Sequence, residues 1–184
     1  MTTYDTARLI LAEIDRVLSR VSEAEVTALC DTILSARRIV VYGLGREGLA
    51  MRSFAMRLMH LGFNAPVAFD MTAPPIGPGD LFLVSCGPGY LATVEALTGI
   101  ARGAGASILM LTAQPQASLP QQADLLIYLP AQTMAQAEAK DSAQAMGSAF
   151  EQALWILFDA LVPRLQAATG QSADDLRRRH TNLE

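Results

Sequence analysis

Residues 38–63, R-I-V-V-Y-G-L-G-R-E-G-L-A-M-R-S-F-A-M-R-L-M-H-L-G-F, decide the fold. A β-branched run drops into a glycine turn and then into a long helical pattern, which sets a helix N-terminus beside a strand end. Backbone N–H groups left unpaired there, at the positive end of the helix dipole, make the usual protein site for an anionic or strongly polar ligand. Gly43, Gly45 and Gly48 let the backbone approach such a ligand closely. Glu47, in the first helical turn, adds a negative charge that argues against phosphate.

Outward from this stretch the pattern alternates. Strands are expected near 38–42, 65–69, 81–86, 107–112 and 125–129, with helices near 46–61 and 90–103 and a short one near 117–122. Nearly unbroken apolar strands alternating with helices mean a parallel sheet covered on both faces. Two amphipathic helices over 4–35 precede the first strand, and Ser22 to Glu25 form an S-x-x-E start signal for the second. A long helix opens at Ser148 and is apolar on almost every side around Leu154, Trp155, Leu157, Phe158 and Leu161, so burial between the sheet and another subunit is expected. Pro163 should kink it or end its regular hydrogen bonding. Segment 131–147, rich in Ala, Gln and Met, is the expected mobile stretch, and Ser172 with Asp175 opens a last helix carrying Arg177, Arg178 and Arg179. The predicted architecture is one domain over 1–184: N-terminal helices to 36, a parallel α/β core over 37–130, and C-terminal helices over 148–184. In class it is a three-layer α/β sandwich with a five-stranded parallel sheet, flavodoxin-like or Rossmann-like, with extra helices at both ends.

Composition limits what this domain can be. With 184 residues, 51% hydrophobic and 17% charged, the chain has a sizeable core and no room for a separate catalytic domain. A net charge of −4 without a basic block before Arg177 argues against a nucleic-acid partner. Cys30 and Cys86 show no metal-ligand spacing, so reduced, cytoplasmic chemistry without a metal is expected. The N-terminus carries acids where a signal peptide needs bases, and no apolar run reaches the roughly 20 residues of a membrane span, so no membrane partner is expected.

Three motifs have rival readings. Gly43 to Gly48 satisfies G-x-G-x-x-G after a strand, and Asp70 would sit at the end of the next strand like a ribose-binding acid; NAD or NADP binding and a purely structural turn both remain open. A second glycine turn, Ser85-Cys86-Gly87-Pro88-Gly89-Tyr90-Leu91, opens another helix, and two such turns at neighbouring strand ends define one crevice. Cys86 reads as a packed thiol, because no base is close in sequence. Ser148 to Glu151 is an S-x-x-E capping box on spacing alone, His60 a packed or partly solvated helix residue, and His180 an exposed tail residue.

The pieces GLGREGLAMRSFAMRLMHLGFN, PPIGPGDL, MGSAFEQA and RRRHTNLE, in this order and across nearly the whole chain, resemble the sugar isomerase (SIS) domain family, specifically its 6-phospho-3-hexuloisomerase branch. The resemblance implies a five-stranded parallel sheet, a tetramer, and isomerisation of 3-hexulose 6-phosphate to fructose 6-phosphate without metal, cofactor or nucleotide. It implies Glu151 as the base and His180, from a neighbouring subunit, as the group completing the site. Moving a carbonyl by one carbon needs a base for the acidic C–H proton and an acid/base group for the hydroxyl proton of the enediol.

This chain departs from the family at the anchoring end. The family's first turn ends G-R-S-G and its second reads S-G-S-G-E-T, and those hydroxyls hold the sugar phosphate. Here Glu47 replaces the first serine, and the second loop runs Cys86, Gly87, Pro88, Gly89, Tyr90, Leu91. Pro88 lacks an N–H, and a carboxylate about 4 Å from a phosphate dianion costs on the order of several kcal/mol. Arg46 is expected to pair with Glu47 or with a differently seated anion, and Tyr90 to stack on a sugar ring. The expected substrate is therefore a sugar or sugar derivative that is unphosphorylated or differently charged, in a dimer or tetramer. A non-catalytic sugar-binding or regulatory module, and an NAD(P)-binding protein, are the alternatives.

Overall fold

The structure, a computed structural model, describes residues 1–134, 142, 144, 146 and 148–183. Four strands, β1 (Arg38–Tyr42), β2 (Asp80–Ser85), β3 (Ser107–Thr112) and β4 (Leu125–Tyr128), run parallel in the order β1-β2-β3-β4. Successive residues of each strand face opposite sides. Ile39, Val41, Leu81, Leu83, Leu109 and Leu111 join one apolar core, while Val40, Tyr42, Phe82, Val84, Ile108 and Met110 join the other. The first core is covered by α1 (Thr3–Leu18), α2 (Glu23–Ser35), α3 (Gly45–His60) and α5 (Ser148–Thr169), and the second by α4 (Ala92–Gly103). A sheet dry on both faces needs the near-continuous apolar strands that the sequence carries.

The fifth strand expected at 65–69 forms no ladder. That segment lies along the outer edge of β1, where Ile39 N–H donates to Asn64 O, Val41 N–H to Pro66 O and Ala68 N–H to Val41 O, but it makes only one parallel bridge, Val41 with Val67. The next bridge needs an N–H from residue 66, and proline has none. Three residues past Pro66, Phe69 adopts φ +71°, which turns the chain away. The edge segment still occupies the fifth position, giving a flavodoxin-like order with the reversal of direction between β1 and β2.

Two smaller expectations change. The helix expected near 117–122 is a single 3₁₀ turn, Pro120–Gln122. Pro163 does not end α5, which runs on to Thr169, because a proline removes one donor while Leu161 and Leu165 on either side stay buried in the core. The mobility expected for 131–147 falls largely on residues outside those described. Around α5, the Phe54 and Phe158 rings stack at 4.2 Å and Arg164 reaches Glu23 and Thr27 on α2. Leu154, Leu157, Phe158 and Leu161 are buried, whereas Trp155 and Ile156 are more than two-fifths exposed and leave an apolar outer face. No helix among the described residues is long and apolar enough to cross a membrane.

Candidate active site

A cavity of about 390 Å³ opens at the carboxyl end of the sheet, between the loop after β1 and the loop after β2. This is the crevice where chain direction reverses, the position at which doubly wound sheets bind ligands. Gly45, Arg46 and Glu47 at the start of α3 form one wall, Pro88 and Leu91 at the start of α4 another, and Thr133, Phe150 and Glu151 close it. Leu44, Met134 and Met146 add apolar lining, and Ser148 a hydroxyl-bearing residue.

Each glycine of the first turn has its own physical reason. A Cβ on Gly48 would lie 2.5 Å from Gly43 O, and one on Gly43 would lie 3.0 to 3.1 Å from Met51 and Gly48, so these two permit the close crossing of strand and helix. Gly45 has φ +54° with nothing within 4 Å of a Cβ, and it faces the open cavity. The N-termini of α1, α2 and α6 (Ala173–Arg179) are capped by the side chains of Thr2, Ser22 and Ser172. Those of α3 and α4, which open on the cavity, have no side-chain cap.

Glu47 is turned under the second loop. Its Oε2 accepts the Ser85 hydroxyl at 2.5 Å and the Gly87 N–H at 3.0 Å. Burial pushes its carboxyl above the ordinary value, those two bonds pull it down, and the nearby negative Glu151 pushes it up again. The pairing of Arg46 with Glu47 allowed for by the sequence is not formed: Arg46 Nε instead donates to Glu151 Oε1. Glu151 is thus held at the cavity wall with its side chain 13% exposed, while Arg46 is largely solvated and free to exchange partners.

Other expected contacts lie off the cavity. Cys86 is fully buried in the α4-side core, and burial together with the charge of Glu47 pushes its thiol up to about 12, so it is not a nucleophile at neutral pH. A Cβ on Gly87 would meet Glu47 Oε1 at 2.7 Å and Phe150 at 2.8 Å, and one on Gly89, at φ +81°, would meet Gln114 at 2.6 Å. Both are packed turn positions. Tyr90 donates its hydroxyl to Glu95 at 3.0 Å and does not line the cavity. Asp70 is half exposed, faces Arg52 at 3.4 Å and also lies off the cavity.

The structure does not bring His180 to Glu151 within one chain. The His180 ring stacks on His60 at 5.0 Å, at the C-terminal end of α3, while Glu151 meets Arg46 at its N-terminal end. A 16-residue helix separates the two ends by about 24 Å. Arg179 fixes the tail there by donating to His60 O at 2.9 Å. Sequence reasoning missed Thr133 and Met134 of the wall. Thr133 lies in an aperiodic stretch, and only its place past the carboxyl end of β4 points to it.

A parallel α/β sheet with a carboxylate-bearing cavity at its switch point defines a small-molecule site of the doubly wound class. The chain belongs to the SIS domain family, whose profile matches residues 32–156. It is 35% identical over 185 residues to the 3-hexulose-6-phosphate isomerase of Bacillus subtilis, covering 100% of both chains. It is 37% identical over 176 residues to the enzyme of that name from Mycobacterium gastri, covering 96% of this chain and 88% of that one. A Methanococcus jannaschii protein, whose crystal structure was described as inferring a 3-hexulose-6-phosphate isomerase function, superposes with a TM-score of 0.85 at 25% identity, covering 98% of this chain and 99% of that one.

Proposed function

We propose that this chain is an isomerase that moves a sugar carbonyl by one carbon through an enediol. Glu151 takes the C–H proton beside the carbonyl and returns it to the neighbouring carbon, while the hydroxyl proton passes through His180 of a neighbouring copy. Arg46 neutralises Glu151 in the empty site and turns to the enediolate oxygens when substrate enters. The observation that carries this reading is the Glu151 carboxylate in the wall of a mostly apolar cavity at the switch point. Transfer of solvent deuterium into a sugar carbon next to its carbonyl tests it; no exchange by wild type, or undiminished exchange by Glu151→Gln, would overturn it.

The head group is the finer part of the proposal. Glu47 occupies, with its own carboxyl, the Gly87 N–H of the second glycine turn, the turn whose hydroxyls hold the phosphate in the family resemblance. The preferred substrate is then a sugar without a phosphate, or one whose head group is polar, cationic or held by Arg46. A second reading keeps the phosphosugar. The uncapped starts of α3 and α4 and the raised carboxyl of Glu47, which repels less when protonated, favour it. Titration of fructose and fructose 6-phosphate against wild type separates the two.

A further inference from the structure

Thr133 lies five residues past β4, lines the cavity and is only 3% exposed. Its Oγ1 is buried and has no hydrogen-bond partner. Other buried hydroxyls near the site are satisfied: Ser85 donates to Glu47 and Thr112 to Cys86 O at 2.7 Å. A buried hydroxyl without a partner is costly, and native chains retain few of them. Thr98, also buried and unpartnered, lies on α4 and lines none of the cavities described, so it marks what a purely internal case looks like. Thr133 lines the same cavity as the two helix starts that lack side-chain caps.

We infer that Thr133 is a substrate-binding residue whose hydroxyl bonds an oxygen of an open-chain, polyhydroxylated sugar and orients it beside Glu151. The ligand completes what the protein leaves open: the hydroxyl donates a hydrogen bond to one sugar oxygen and accepts one from another, in a mostly apolar cavity. This rests on the isomerase reading for its kinetic arm and on binding alone for the other.

The test compares Thr133→Val, Thr133→Ser and Thr98→Val. Val keeps the shape and removes the hydroxyl, so Thr133→Val is expected to leave thermal stability without ligand unchanged or raised. It is expected to raise KM about tenfold, with kcat changed less, and to shrink the thermal shift given by the tighter binding of fructose and fructose 6-phosphate. Thr133→Ser restores both, and Thr98→Val leaves KM as in wild type. If Thr133→Val lowers stability and leaves KM and the ligand shift unchanged, Thr133 is a structural residue and the inference fails while the isomerase reading stands. A wild type that neither binds nor turns over any sugar sinks both.

Discussion

The Glu47 carboxylate accepts the main-chain N–H of Gly87 at 3.0 Å and so fastens the loop after β1 to the loop after β2. A side chain of one helix start thereby fills the donor set of its neighbour. The two loops that face the cavity are coupled through a single carboxyl, and several outcomes depend on it.

Replacing Glu47 by Gln keeps an acceptor for Ser85 and Gly87 and removes the buried charge. Because the folded state raises this carboxyl above 4.5, its contribution to stability is fully present below the unfolded value and is lost as pH rises through the folded value. Glu47→Gln is therefore expected to be at least as stable as wild type at about pH 8, with any advantage vanishing near pH 4. Urea unfolding across that range checks this; a variant clearly weaker at the alkaline end shows that the two bonds outweigh burial.

Glu47→Ser frees the Gly87 N–H and supplies a hydroxyl. Affinity for fructose 6-phosphate, measured by calorimetric titration, is expected to rise about tenfold or more. If wild type already binds that ester as tightly as the variant, the anchoring end has not been rebuilt.

Glu151→Gln is expected to lower kcat by about 10²- to 10⁴-fold, the usual contribution of a positioned general base, with the ligand-induced thermal shift retained. Arg46→Ala removes the partner of Glu151 and is expected to raise KM. Steady-state kinetics on both variants decides the roles, and an active Glu151→Gln variant reassigns the base.

Because His180 and Glu151 lie at opposite ends of α3, the role proposed for His180 requires a second copy. Glu151→Gln and His180→Ala are each expected to be inactive alone and to regain part of the activity when co-expressed with differing tags and purified as a mixed assembly. No recovery in verified mixed assemblies removes His180 from the reaction.

Gly87→Ala places a methyl 2.7 Å from Glu47 Oε1 and 2.8 Å from the Phe150 ring. Phe150 is fully packed, so the clash is expected to cost about 1–3 kcal/mol of folding stability. A denaturation curve superposable on wild type would mean the ring yields without strain.

Much of this was legible in the chain. The strand-turn-helix of 38–63 and the alternation after it place the parallel sheet and the crevice, because apolar periodicity and glycine turns are local signals. The MGSAFEQA piece marks Glu151, which lines the cavity. The fifth strand was misread because Pro66 looks harmless inside an apolar run, and only the register against Ile39 shows which donor is missing. The partners of Arg46 and Glu47 were misassigned because adjacency in sequence says little about which carboxylate a guanidinium reaches across the fold. Thr133 carries no pattern at all; its importance is a matter of burial.

The proline that spoils the ladder at 66 also guards the rim of the sheet. An intruding strand zipping onto that border finds a position without a donor. At the opposite border the Tyr128 N–H is already taken by Glu25 at 2.9 Å, under the cover of α2. Neither margin invites amyloid-like extension, and the exposed apolar surface that bears Trp155 and Ile156 is helical instead.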